Sequence, residues 1–156
     1  MPTLAPGDRA PAFTLVDQTG TKVKLSDFKG RRVVLYFYPK ADTPGCTTQS
    51  CALRDAEPDL EKLQAVVLGI SPDSPDKQAR FDDKYGLGFT LLADTEHVVA
   101  EKYGVWGEKV NYGRKYMGII RSAFVIDEAG KVAAAFYKVS PKDTVPKATK
   151  ALAELG

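Results

Sequence analysis

Two continuous apolar runs frame this chain. Residues 33–38 read Val-Val-Leu-Tyr-Phe-Tyr and residues 65–70 read Ala-Val-Val-Leu-Gly-Ile. Each is short, rich in β-branched or aromatic side chains, and lacks a polar face, which predicts strands buried on both sides of a sheet. Other segments alternate. Ala12-Phe13-Thr14-Leu15 and Thr21-Lys22-Val23-Lys24-Leu25 flank Asp17-Gln18-Thr19-Gly20 and predict an N-terminal β-hairpin. Ser26 or Asp27 can cap a short turn ending at Gly30. Residues 89–92 predict a short strand. Residues 119–126 predict a longer one, turned by Asp127-Glu128-Ala129-Gly130 into a hairpin partner over 131–139.

Helical segments fall between these strands. One begins near Cys46, and Pro58 either interrupts it or opens a second helix. Others cover residues 75–85, stopped at Gly86, residues 96–103, ending at Gly104, and residues 143–155, with Val145, Ala148 and Leu152 on one side. The segment with Pro2, Pro6 and Pro11 is expected to be extended over the surface. Residues 105–118, with Trp106, three glycines and three basic residues, read as a loop. Strands alternating with helices and a closing hairpin imply one α/β domain over residues 1–156, with a mixed central β-sheet flanked by helices.

Composition narrows the function. A net charge of +2 on 156 residues is too small to imply nucleic acid or an anionic membrane as partner. The Lys and Arg residues are scattered, and Arg31-Arg32 and Arg114-Lys115 are pairs rather than patches. No apolar run approaches the ~20 residues of a membrane span. Residues 1–8 lack the basic and apolar regions of a signal peptide, so the expected location is the cytoplasm. In that compartment disulfides are mostly transient and catalytic or redox-sensing. Two cysteines and the single His97 make no recognisable zinc set, so no metal is expected.

Both cysteines fall after the first apolar run. Pro39 ends that strand, Asp42-Thr43-Pro44-Gly45 is turn chemistry, and Cys46 enters the first turn of the following helix, with Cys51 five residues on. Unpaired amides and the positive end of the helix dipole favour a thiolate there, and the thiolate is the reactive form. The bland alternative is two small apolar residues filling a core. Thr43 is near enough for its hydroxyl to bond the sulfur or a substrate oxygen. Arg121 stands in the apolar run 119–126 and requires an anionic partner, with a carboxylate as the bland choice. In open α/β sheets, sites lie at the carboxyl ends of strands, and the loop after Tyr38 leaves such an end.

The spacing Pro39-x3-Thr43-x2-Cys46 resembles the active-site motif of the peroxiredoxins, a thioredoxin-fold family. Cys46-x4-Cys51 resembles its bacterioferritin-comigratory class, as do residues 7–13, 68–73, 103–109 and 119–122. The resemblance implies a thioredoxin-like fold and a thiol peroxidase acting on hydrogen peroxide and organic hydroperoxides. It implies Cys46 as peroxidatic nucleophile, Cys51 as resolving cysteine through an intramolecular disulfide, and Thr43, Arg121 and Pro39 completing the catalytic set, Pro39 by excluding water. It implies thioredoxin or a similar dithiol as reductant, no cofactor, and a monomer. Many members of the class carry Glu where this chain has Gln49. That change is expected to alter local electrostatics without removing activity. The competing readings are a thiol–disulfide oxidoreductase, disfavoured because no Cys-x-x-Cys is present, and a redox sensor or holdase.

Overall fold

The computed structural model describes residues 3–156; Met1 and Pro2, the latter one of the prolines of the expected extended segment, lie outside the described residues. In chain order the elements are β1 (Thr14–Asp17), β2 (Lys22–Lys24), β3 (Arg32–Phe37), α1 (Pro44–Lys62), β4 (Ala65–Ser71), α2 (Pro75–Tyr85) and β5 (Thr90–Ala93). There follow α3 (Val98–Lys102), β6 (Trp106–Asn111), β7 (Arg114–Ile119), β8 (Ser122–Ile126), β9 (Val132–Phe136) and α4 (Thr144–Glu154). A short 3-10 turn spans Leu25–Phe28.

The two apolar runs become the centre of a seven-stranded sheet of order β2-β1-β5-β4-β3-β8-β9. β3 pairs with β4 in parallel, from Arg32↔Ala65 to Phe37↔Ile70, and every residue of β3 is buried. β5 continues the parallel set; β8 and β9 on one side and the β1–β2 hairpin on the other are added through antiparallel pairings. Alternate residues of β3 feed opposite cores. Val34, Tyr36 and Tyr38 join Leu53 and Leu60 of α1, Phe81 of α2 and Ala148 of α4 on one face. Val33, Leu35 and Phe37 join Phe13, Val99 and Tyr103 on the other. This is the mixed α/β, thioredoxin-like arrangement expected, and its N-terminal hairpin is present.

Three expectations need correction. Residues 105–118 are not a loop, since β6 and β7 form a separate two-stranded antiparallel ribbon. Most of its residues face solvent on both sides, so no apolar alternation marks them. Tyr112 and Gly113 at its tip have φ of 52° and 76°, the pair of positive values that a tight hairpin turn requires. Pro58 neither interrupts α1 nor opens a second helix. Leu53 and Leu60, both fully buried, anchor the helix on either side of it, and this packing outweighs the one hydrogen bond that proline removes. Arg121 is not inside a strand: with Ile120 it forms the break between β7 and β8. Ile120 donates to the Val105 carbonyl at 2.7 Å, and Val139 donates to the Arg121 carbonyl at 3.0 Å.

Candidate active site

The last ladder contact of the β3 edge is Tyr38 N donating to the Ile70 carbonyl at 3.0 Å. Pro39 then turns the chain out of the sheet, half-buried at the exit. The loop that follows is pinned at each step. Ala41 N donates to Asp73 Oδ2 at 2.7 Å. Asp42, at φ 61°, accepts from Lys84 Nζ at 2.9 Å and Tyr85 Oη at 2.6 Å, and these bonds, Tyr85's first, hold its carboxyl below the usual value. Thr43 is the N-cap of α1, but its hydroxyl oxygen accepts from no helix amide, and its proton goes to the Lys40 carbonyl at 2.7 Å rather than to the sulfur. Thr47 N donates to the Thr43 carbonyl at 2.8 Å and starts the helix. Cys46 is thus the third helical residue, among amides with no carbonyl of their own turn to bond.

Cys46 is buried and Cys51 half-buried, and both are free thiols. Arg121 Nη2 donates to Cys46 Sγ at 3.4 Å, and its Nη1 donates to Gln49 Oε1 at 2.8 Å. Gln49 Nε2 donates in turn to Thr144 Oγ1 at 2.9 Å, and that hydroxyl donates to the Ser140 carbonyl at 3.0 Å. A buried chain from α1 to α4 therefore fixes the guanidinium over the sulfur. Among the described residues no carboxylate lies within 4.0 Å of Arg121, so the carboxylate partner allowed by the sequence is not what it meets. A second cation is close. Lys109 Nζ donates to the Ile119 carbonyl at 2.9 Å, and burial, followed by the charge of Arg121, pushes its ammonium below the ordinary value.

Beneath the loop runs a second polar chain. Asp73 Oδ2 also accepts from Ser71 Oγ at 2.7 Å, Ser71 Oγ accepts from Gln78 Nε2 at 2.9 Å, and Gln78 Oε1 accepts from the Tyr38 hydroxyl. Tyr36 stacks on Tyr38 and its hydroxyl meets Ser50 Oγ at 2.7 Å, so the sheet grips α1 at the residue just before Cys51. Burial pushes the phenol of Tyr36 well up and keeps it a neutral partner.

Of the residues singled out in the sequence, Cys46 and Arg121 meet directly. Thr43 and Pro39 lie on the same loop. Cys51 lies on an intact helix, where a five-residue step separates Cα atoms by ~8–9 Å. Arg54 pairs with Asp55 at 3.0 Å and donates to the Tyr85 carbonyl at 2.6 Å. His97 stacks on Trp106 with centroids 3.8 Å apart, a structural pair. Sequence reasoning assigned no role to Gln49, Ser50, Asp73 or Gln78. One signal was available, because Gln49 stands three residues after Cys46 and so shares its helix face.

Gly45 is set by the same geometry. A Cβ there would stand 3.0 Å from Arg121 Nη2. Gly45→Ala is expected to leave the melting temperature nearly unchanged, because a side-chain tip can yield, while slowing peroxide consumption severalfold as the guanidinium shifts off the sulfur. Stopped-flow rates beside a thermal melt check this, and an unchanged rate would mean the contact is dispensable.

The sequence model of the AhpC/TSA family matches residues 6–135. The chain is 55% identical over 143 residues to the putative peroxiredoxin bcp of Haemophilus influenzae, covering 92% of each chain. Among solved structures, peroxidoxin BcpB from Mycobacterium tuberculosis superposes with a TM-score of 0.88 at 35% identity, over 98% of this chain and 99% of that one. The bacterioferritin comigratory protein of Xanthomonas campestris, described as reducing alkyl peroxides, gives a TM-score of 0.86 at 33% identity over 92% and 91% of the two chains.

Proposed function

The chain belongs to the AhpC/TSA family and is a peroxiredoxin of the bacterioferritin-comigratory class, a thiol-dependent peroxidase, and on that premise we propose that Cys46 is its peroxidatic nucleophile and Cys51 its resolving cysteine. The observation that carries the reading is the Arg121 guanidinium 3.4 Å from a buried sulfur in the first turn of a helix, with no carboxylate to neutralise it. In this reading the Cys46 thiolate attacks the terminal oxygen of a hydroperoxide. The O–O bond breaks, the leaving oxygen departs as water or alcohol after taking up a proton, and the sulfur becomes a sulfenic acid. The Arg121 donors stabilise the charge that develops on the peroxide oxygens. Thr43 Oγ1, its proton committed to the Lys40 carbonyl, offers a lone pair to the peroxide O–H, and Pro39 limits water at the mouth.

Cys51 then attacks the sulfenic sulfur, water leaves, and an intramolecular disulfide forms. Thioredoxin or a similar dithiol returns both thiols by exchange. Both sulfurs of the disulfide come from one chain, so the chemistry requires no dimer, which supports a monomer. No helix among the described residues is long and apolar enough to cross a membrane. The deciding experiment is a steady-state assay of hydrogen peroxide against organic hydroperoxides with thioredoxin as donor. Many turnovers per enzyme are expected with both; a single turnover that thioredoxin does not renew would replace the catalytic cycle with a sensor.

A further inference from the structure

At the opposite end of β3 from the Cys46 loop lies a cavity of about 360 Å³, within the size range of small-molecule sites. Its apolar floor includes Ala10, Leu25, Phe28, Val33 and Ile126. The walls are pinned by backbone bonds: Ala10 N donates to the Gly130 carbonyl at 3.0 Å, Gly30 N to the Glu128 carbonyl at 3.0 Å, and Val132 N to the Asp8 carbonyl at 2.8 Å. A site held in this way is formed before anything binds, which lowers the ordering cost.

Around this floor stand Lys29 and Arg31, near neighbours in sequence, and Arg9, brought to them by the fold. Among the described residues none of the three has a carboxylate within 4.0 Å. Two acids stand near, Asp127, which itself lines the cavity, and Glu128. Asp127 Oδ1 accepts from the amides of Ala129 at 3.0 Å and Lys131 at 2.9 Å, and Glu128 pairs with Arg32 at 3.4 Å. Three cations against the single lining carboxylate of Asp127 leave the rim net positive, and over a mostly aliphatic floor this complements a ligand with one anionic head and an alkyl body. Guanidinium groups suit a carboxylate in particular, because their paired N–H donors match its two oxygens.

We propose that this cavity binds a single-tailed amphipathic carboxylate, a medium-chain alkanoate, with the tail on the floor and the head between Arg9 and Arg31. The site is separate from the catalytic one: the five-residue step of extended chain from Val33 to Tyr38 spans about 17 Å. It does not depend on the assignment of the cysteines.

The test is a titration of the full chain with decanoate below its micelle concentration, read by amide chemical shifts and calorimetry. Saturable binding is expected, with shifts centred on Ala10, Phe28, Val33 and Ile126. Octanoate should bind roughly tenfold more weakly, since each methylene is worth about 0.8 kcal/mol. Arg31→Glu should weaken decanoate at least tenfold while hydrogen peroxide turnover stays unchanged, and Ala12→Trp, which fills the mouth from an exposed position, should abolish it. Shifts centred on residues 39–46, no saturation by millimolar decanoate, or equal binding of decyltrimethylammonium, with the same tail and the opposite charge, would each overturn the proposal.

Discussion

Cys46→Ser abolishes peroxide reduction, and Cys51→Ser keeps the first turnover but loses cycling with thioredoxin: these are the expected results for the two cysteines. The first effect is large because a serine hydroxyl remains protonated where a thiolate would attack, and loss of a covalent nucleophile costs more than ~10³-fold in rate. The second differs in kind. Without Cys51 the sulfenic acid has no internal trap, so a second peroxide carries it toward sulfinic acid. Mass spectrometry after one equivalent of peroxide separates the roles, with one added oxygen expected on Cys46 in the Cys51→Ser protein. Neither substitution should cost much stability. Cys46 is buried, but its neighbours include the polar Arg121 and Gln49, so serine finds partners there. Sulfenic acid forming on Cys51 in the wild-type chain would reverse the assignment.

What could be read from the sequence was whatever local chemistry determines. Helix α2 is stated by its own residues: Ser74 accepts from Lys77 N at 3.3 Å, Pro75 opens the first turn, and Gly86 closes it in the left-handed region at φ 58°. The β3 and β4 runs are apolar throughout because both of their faces are covered. Other features depend on distant segments and leave no local mark. The β6–β7 ribbon has no buried face to write an alternation. α1 runs through Pro58 because the sheet holds Leu53 and Leu60. The proposed catalytic motif was legible as spacing, since Thr43 and Cys46 lie three residues apart at one helix start. Its support was not, because Gln49 becomes meaningful only when Arg121, 72 positions later, and Thr144 of α4 arrive on either side of it.

Formation of the Cys46–Cys51 bond is expected to melt the first turns of α1. A disulfide requires Cα atoms within ~7 Å and Cβ vectors that converge, whereas a five-residue helical step leaves them ~8–9 Å apart and rotated by roughly 140°. The boundary of the melted segment is built in. Pro58 has no N–H, so the Arg54 carbonyl lacks its helical partner, and the turns before it can open without unravelling those after it. Side chains between the cysteines add to the cost. Opening breaks Tyr36–Ser50, Arg121–Gln49 and Gln49–Thr144, each worth ~1 kcal/mol net, together with the helical bonds of those turns. These contacts favour the closed, peroxide-ready form while the thiols are reduced. In the proposed cycle oxidation replaces them with a covalent bond, and the opened segment is expected to present the disulfide to a reductant. Amide hydrogen exchange across residues 46–55 should show strong protection in the reduced protein and its loss, by at least tenfold, in the disulfide form. Equal protection in the two states would overturn this account, because an intact α1 holds the two sulfurs apart however the helix as a whole is displaced.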